Sequence, residues 1–145
     1  EAGNRLLIQH TLLHAADLSN PVKDTPAYEK WVKRVTDEFF AQGDTEKQMG
    51  RNASPMCDRE TTNIPNMQLG FIDFVICPFY CTIFKIFPES LKPMAQNLQK
   101  NYHYYADLRL CMVGEASEDG QKLVKRKAAM TSKLQFAIEA GNDQE

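Results

Sequence analysis

The sequence lacks several features that mark large classes of proteins. Its four cysteines, at positions 57, 77, 81 and 111, form no C-x-x-C pair and no spacing typical of a zinc knuckle or a disulfide framework. It has no secretory signal, no internal repeat and no low-complexity tract. Its formal net charge is only -2, with Lys and Arg dispersed. These absences predict reduced thiols in an intracellular, cytoplasmic protein and argue against nucleic acid or an anionic membrane as a primary partner.

The residues that are present predict an all-α domain. A chain of 145 residues, 43% hydrophobic and 25% charged, is long enough for one domain with a substantial core. From Tyr28 to Phe39 the apolar residues recur at helical spacing, with Asp24 or Thr25 as the N-cap and Gly43 as the expected end. A short helical turn over 44–49 and a loop over 51–62 follow. No stretch alternates as a β-strand does.

The most apolar stretch, LGFIDFVICPFYCTIFKIF at 69–87, is long enough to raise the question of a membrane span. Asp73, Lys85 and Pro78 argue against that alternative. We therefore predict a central core helix, kinked at Pro78, because proline removes a backbone hydrogen bond and clashes with the preceding turn. Two more helices are expected on either side of Gly114. The apolar positions that predict them are Leu91, Met94, Leu98, Tyr102 and Tyr105 in the first and Leu123, Met130, Leu134, Ala137 and Ile138 in the second.

The stretch HTLLHAADLSNP near the start contains a possible group of metal ligands. His10, His14 and Asp17 are spaced i, i+4, i+7, which places them on one face of a helix. Histidine and carboxylate are common ligands of zinc and similar cations. On the residues alone, however, a His-x-x-x-His pair on an apolar helix more often serves packing and one hydrogen bond. Both interpretations stay open at this point.

Four motifs occur in order: HAADLSNP (14–21), YEKWVKRVTDEFFAQGDTEKQMG (28–50), SPMCDR (54–59) and QLGFIDF (68–74). With these motifs the chain resembles the catalytic domain of the class I cyclic nucleotide phosphodiesterases, over residues 5–110. The resemblance covers the C-terminal half of that domain only, because the family's upstream H-N-x-x-H and H-D segments are not in these 145 residues. It implies a multi-helix, HD-type fold, with residues 1–112 as the C-terminal part of the catalytic domain and 113–145 as a helical extension.

For the catalytic side of the site, the resemblance implies roles for two acidic residues. Asp17 corresponds to a ligand of the tightly held metal ion. His10 matches no metal ligand of the family, and His14 is a structural neighbour of the metal site. Glu38 corresponds to a glutamate that orients the histidine that protonates the leaving group, and that histidine lies outside this segment. The implied cofactors are two divalent cations, Zn²⁺ together with Mg²⁺ or Mn²⁺, whose other ligands come from the missing N-terminal half.

For the base, the resemblance implies a clamp. Gln68 would pair with the purine edge, Phe71 would stack on the ring and Val35 would form the other wall. Phe39 would also bind the substrate, and Asn20 matches a pocket asparagine. A buried glutamine otherwise carries an unexplained polar cost, which favours a functional role. Plain core packing is the competing explanation for the three apolar residues.

The predicted function is metal-dependent hydrolysis of 3',5'-cyclic nucleotides in signal transduction, with cyclic AMP turned over at least as well as cyclic GMP. We expect the 145 residues alone to be inactive. The alternative is a non-catalytic helical fragment or pseudo-enzyme that binds a partner or nucleotide. The expected partners are the substrate and the missing N-terminal half, with no membrane span, and the sequence carries no signal of an oligomeric state.

Overall fold

The fold is all-α in a computed structural model that describes residues 2–142, a range that contains no β-strand. This confirms the predicted class. In chain order the elements are α1 (Ala2–Asp17), a 3₁₀ turn (Asn20–Val22), α2 (Thr25–Gln48), α3 (Ile64–Phe71), a π turn (Ile72–Ile76), α4 (Cys77–Ile86), α5 (Pro88–Val113) and α6 (Glu118–Asn142). The predicted loop over 51–62 lies between α2 and α3.

Helix α2 begins as predicted but does not end at Gly43. The Asp24 carboxylate caps the helix by accepting from the backbone N–H of Ala27 at 3.2 Å, and proline occupies the first turn. The helix then continues to Gln48, so the prediction of a stop at Gly43 was wrong. A Cβ at position 43 would lie 2.0 Å from the carbonyl oxygen of Cys57. Gly43 therefore serves close packing of the following loop, and Gly50, with φ +72°, follows the helix end.

Helices α3 and α4 join through the π turn into one continuous helix over 64–86. Its core side chains, Leu69, Ile72, Ile76 and Phe84, are fully buried. The sequence predicts an irregularity at Pro78, and the structure has the π turn, which ends two residues before Pro78. A π turn is one way in which a helix accommodates an interruption of its backbone hydrogen bonds. By length and composition this helix could cross a membrane, and 39% of its apolar window is buried inside the structure.

Helices α5 and α6 pack against the helix over 64–86 and against each other. In α5 the predicted Leu98, Tyr102 and Tyr105 are buried, but Met94 is exposed, and Ala95 and Asn101 are buried in addition. The chain breaks at Gly114, with φ +79°, as predicted. In α6 the buried residues are Leu123, Met130, Leu134 and Ala137, and they join the same core. The boundary between a domain part at 1–112 and an extension at 113–145 stays a prediction.

Helix α1 contacts the rest of the fold mainly at its C-terminal end. Ala15 is buried, and its carbonyl oxygen accepts a hydrogen bond from the Tyr80 hydroxyl at 2.5 Å. The His14 ring meets Phe79 edge to face, with ring centroids 5.0 Å apart. The large apolar side chains of α1 are exposed, namely Leu6, Leu7, Ile8, Leu12 and Leu13. This helix therefore presents an apolar surface that nothing else in the described residues covers.

Candidate functional site

A cavity of about 800 Å³ lies between α2, the 3₁₀ turn, the loop over 51–62 and the first half of the helix over 64–86. The structure brings five sequence-predicted residues to this cavity: Asn20, Val35, Phe39, Gln68 and Phe71. They come from the 3₁₀ turn, α2 and α3. A largely apolar cavity with a few polar groups has the composition of a small-molecule site. That these residues bind substrate stays a prediction.

Gln68 is the buried polar group of this cavity. It lies on α3, whose N-cap Asn63 accepts from the backbone N–H of Asn66 at 2.9 Å, and only 6% of Gln68 is exposed. The Tyr28 hydroxyl donates to Gln68 Oε1 at 2.7 Å. Burial, with a smaller contribution from Tyr105, raises the pKa of Tyr28 far above its usual value, so the phenol remains a donor at neutral pH. Turning the amide end for end would leave the buried Tyr28 proton without this acceptor, so Tyr28 favours one orientation, in which the Nε2 donors are left for another partner.

Asn20 reaches the cavity from the 3₁₀ turn, which α5 holds in place. Asn101 is fully buried, and its Nδ2 donates to the carbonyl oxygens of Pro21 and Lys23, each at 2.8 Å. Its Oδ1 accepts from the Thr25 hydroxyl at 2.7 Å. These bonds use both donors of the amide and join the turn to the start of α2. The turn is thereby fixed beside the cavity.

The apolar walls are provided by two facing elements. Val35 and Phe39 come from α2, and Phe71 comes from α3; all three are half-buried. Trp31 and Phe74 also line the cavity and are exposed, Phe74 at 83%. Partly open aromatic and branched side chains on two sides suit a flat apolar ring between them. This observation distinguishes the three predicted residues from fully buried core residues such as Leu69.

The loop over 51–62 covers one side of the cavity with Met56, Thr61 and Thr62. Glu46 fastens it to α2 by accepting from the Ser54 backbone N–H at 2.6 Å and the Ser54 hydroxyl at 2.8 Å. Hydrogen bonds from Gln42 and from Ser54 lower the pKa of the Glu46 carboxyl.

Three ion pairs fasten the same loop, one of them between Lys47 Nζ and Glu60 Oε2 at 3.6 Å. Lys47 Nζ lies 2.7 Å from Asp58 Oδ1, and Arg59 pairs with Asp44. These hydrogen-bonded partners lower the pKa of Asp58 and of Asp44. The loop is therefore held mainly by charged contacts to the last turns of α2.

The predicted metal and catalytic residues lie outside the lining of this cavity. Asp17 and His10 are exposed on α1, His14 packs against Phe79, and Glu38 is exposed on α2. Within residues 2–142 no group of three or more His, Cys, Asp or Glu side chains could hold a metal ion. The local ligand group His10, His14 and Asp17 is therefore wrong as a complete site. Asp17 as one ligand among several stays a prediction, because one carboxylate does not complete a coordination shell.

Sequence reasoning missed Tyr28 and Asn101. The helical spacing presents Tyr28 as one apolar position of an amphipathic helix and gives Asn101 no role. A signal was available for Tyr28, because a buried tyrosine hydroxyl needs a polar partner in the core. Which partner it finds, 40 residues further along the chain, depends on the tertiary packing.

Comparison with known proteins finds similar proteins in one family. A profile of the family "3'5'-cyclic nucleotide phosphodiesterase" matches residues 1–98. The Drosophila melanogaster protein "3',5'-cyclic-AMP phosphodiesterase, isoform F" is 38% identical over 105 residues, which are 72% of this chain and 16% of that protein. The Rattus norvegicus protein "3',5'-cyclic-AMP phosphodiesterase 4C" is 37% identical over 102 residues, which are 70% of this chain and 19% of that protein.

A solved structure of LmjPDEB1 in complex with IBMX superposes with a TM-score of 0.68 at 31% sequence identity, covering 74% of this chain and 32% of that one. The chain thus spans less than a fifth of these two curated relatives and about a third of the solved structure. Two thirds of the chain match the family profile, and the all-α fold is shared. The chain therefore belongs to the 3'5'-cyclic nucleotide phosphodiesterase family.

Proposed function

We propose that the whole protein to which this chain belongs hydrolyses 3',5'-cyclic nucleotides to 5'-monophosphates, and that the cavity holds the base. The observation that carries the proposal is the buried Gln68 amide, held by Tyr28 between the walls formed by Val35 and Phe71. A fixed amide at the end of an apolar slot is suited to the edge and faces of a purine. The names of the relatives, which are cyclic AMP phosphodiesterases, and the IBMX complex of the structural neighbour support it.

The hydrogen bond from Tyr28 to Gln68 affects which purine base the cavity prefers. Adenine offers an acceptor at N1 and a donor at N6, whereas guanine offers a donor at N1 and an acceptor at O6. Because Tyr28 fixes the Gln68 amide, the amide cannot turn freely to serve both patterns. We expect a preference for one nucleotide, and Asn20 together with the names of the relatives favours cyclic AMP.

Membership of the family implies the use of divalent metal ions. The described residues do not form a complete metal site, so we place the remaining ligands in parts of the protein outside this chain, with Zn²⁺ and Mg²⁺ or Mn²⁺ as the ions. Divalent ions in such a site activate water and stabilise charge on the phosphoryl oxygens. Within this chain, Asp17 would contribute one carboxylate, and Glu38 would orient the histidine that gives a proton to the departing O3'.

The test compares Asp17→Ala with His10→Ala in the full-length protein. We expect Asp17→Ala to lower bound metal, measured by elemental mass spectrometry, and cyclic AMP turnover, because neighbouring side chains cannot replace a carboxylate ligand. His10→Ala, a matched change on the same exposed helix, should leave both near the wild-type level. Loss of metal in His10→Ala but not in Asp17→Ala would contradict the assignment. An inactive wild-type protein that still binds nucleotide would instead support the pseudo-enzyme alternative.

A further inference from the structure

Two cysteines on α4 lie side by side, away from the cavity. Cys77 and Cys81 are one helical turn apart, and their sulfur atoms are 3.6 Å apart, within hydrogen-bond distance for thiols. Cys77 is buried and Cys81 is half-buried. Neither residue lines the cavity or belongs to the proposed metal site. The proposed function therefore leaves this pair without a role.

The charges around the pair are unequal. Lys133 on α6 and Lys85, one turn further along α4, both favour the thiolate form of Cys81. Lys133 also favours the thiolate form of Cys77, but there Asp73, which is itself paired with Arg126, opposes it, and Lys85 acts on Cys81 alone. Hydrogen bonding to Cys77 and the two lysines lower the pKa of Cys81, whereas hydrogen bonding to Cys81 and burial raise the pKa of Cys77. Cys81 is also the more exposed of the two thiols, so its sulfur is the better place for a negative charge on the pair.

We propose that Cys81 is a reactive, modifiable thiol, with Cys77 as the hydrogen-bond donor that positions and stabilises it, and that hydroperoxides are the oxidant class it meets. Reactive cysteines are found in partly exposed, electropositive surroundings, whereas buried cysteines without such neighbours are inert. Cys81 has the first kind of surroundings. Cys57, which is buried in the loop over 51–62, does not have partial exposure and serves as the unreactive comparison.

The oxidation step balances without a further reactant. The Cys81 thiolate attacks one oxygen of the hydroperoxide, an S–O bond forms and the O–O bond breaks. The sulfur loses two electrons and becomes a sulfenic acid, and the departing alkoxide or hydroxide takes a proton from water.

Cys77 does not close a disulfide with this product. Side chains at i and i+4 of a helix have Cβ atoms about 5–6 Å apart, whereas a disulfide needs about 3.5–4.5 Å. The helix therefore keeps Cys77 as a hydrogen-bond donor.

The test measures alkylation of each cysteine in the native full-length protein. A limiting amount of iodoacetamide is added at neutral pH, the reaction is quenched at intervals, and peptides are quantified by mass spectrometry. Cys111 is the matched control, because it is more exposed than Cys81. Accessibility alone predicts that Cys111 reacts faster. We expect Cys81 to react roughly threefold or more faster than Cys111. A larger thiolate fraction raises the rate, but a thiolate of lower pKa is a weaker nucleophile, so a tenfold gain in thiolate gives less than a tenfold gain in rate.

Two variants test the cause. Cys77→Ala removes the donor and Lys133→Gln removes a positive charge, and each should reduce the rate at Cys81 while the rate at Cys111 stays unchanged. In urea, which unfolds the protein, Cys81 should no longer be alkylated faster than Cys111. With hydrogen peroxide followed by dimedone, Cys81 should be the labelled peptide among these four cysteines. Three outcomes would overturn the proposal. They are faster alkylation of Cys111 than of Cys81, an unchanged Cys81 rate in both variants, and a Cys77–Cys81 disulfide as the main oxidation product.

Discussion

At the scale of single residues, the hydroxyl of Tyr28 decides how Gln68 presents its amide. We predict that Tyr28→Phe narrows the ratio of kcat/KM between cyclic AMP and cyclic GMP in the full-length protein, because the freed amide can turn to serve either base. The preferred nucleotide should lose about 0.5–1.5 kcal/mol of transition-state binding, the usual contribution of one hydrogen bond. The phenyl ring keeps the edge-to-face contact with Tyr105.

Tyr104→Phe is the matched control for this prediction. Its hydroxyl also donates a hydrogen bond, to Glu29, but outside the cavity. This variant should keep the wild-type ratio. An unchanged ratio in Tyr28→Phe would show that something other than Tyr28 orients Gln68.

Gly43 provides a second prediction at this scale. In an open helix position, Gly→Ala raises the free energy of unfolding by up to about 1 kcal/mol. At position 43 a new Cβ would meet the Cys57 carbonyl oxygen, so we expect Gly43→Ala to lower the free energy of unfolding by about 1–3 kcal/mol, measured by urea denaturation. Gly70→Ala, a helical position with nothing within 4 Å of the added Cβ, should be neutral or stabilising. Equal effects at both positions would mean that the loop does not approach Gly43.

At the scale of elements, the loop over 51–62 depends on carboxylates whose folded-state pKa values are lowered. A carboxylate with a lowered pKa stabilises the fold fully above its unfolded pKa of about 4, and this contribution is lost as the pH falls through the folded value. We therefore predict that acidification from about pH 5 to about pH 2 weakens the attachment of this loop to α2. From about pH 5 to about pH 9 the attachment should not change with pH, whereas at more alkaline pH the loss of the Lys47 proton should weaken it, because Asp58 raises the pKa of Lys47.

Glu46→Gln tests this prediction. Glu46 accepts from both the backbone and the side chain of Ser54, and a neutral amide loses the dependence on pH. The free energy of unfolding, measured by urea denaturation across the acidic range, should fall less in Glu46→Gln than in the wild type. Glu139→Gln, a change on α6 away from the loop, should follow the wild-type curve. Parallel curves for Glu46→Gln and wild type would contradict the prediction.

At the scale of the whole molecule, we predict that the 145 residues alone do not hydrolyse cyclic nucleotides, even with excess Zn²⁺ and Mg²⁺. The reason is that the described part of the chain gathers no set of three metal ligands, and Asp17 by itself cannot hold an ion. The measurement is turnover of cyclic AMP by the purified segment against a blank with metal only. Turnover above that blank would refute the prediction.

The same segment should associate with itself through α1, because its large apolar side chains are exposed. Light scattering should show association in the wild-type segment and less in the double variant Leu7→Gln/Leu13→Gln, which replaces two of the most exposed leucines of α1. Equal association of the wild-type segment and the double variant would show that the segment associates through a surface other than α1. In the full-length protein we expect this face to pack against the remaining part of the catalytic domain.

The sequence by itself determined the helical class, most of the helices and the membership of the family. These depend on local information: the period of apolar residues, caps such as Asp24, breaks such as Gly114, and ordered motifs. The predicted stop at Gly43 failed because a glycine that ends a helix and one that admits a neighbouring backbone look the same in sequence. Pro78 likewise indicated an irregularity, but not that it would be a π turn.

The tertiary structure alone decided how the site is built. It brought Asn20, Val35 and Gln68 to one cavity, gave Gln68 its partner Tyr28, and left Asp17 without companion ligands in the described residues. It also placed Lys133 near Cys81 across two helices. A hydrogen bond or a charge contact depends on where side chains meet in space. The pattern along one helix gives the face on which a side chain lies, but the packing of the helices determines what that face meets.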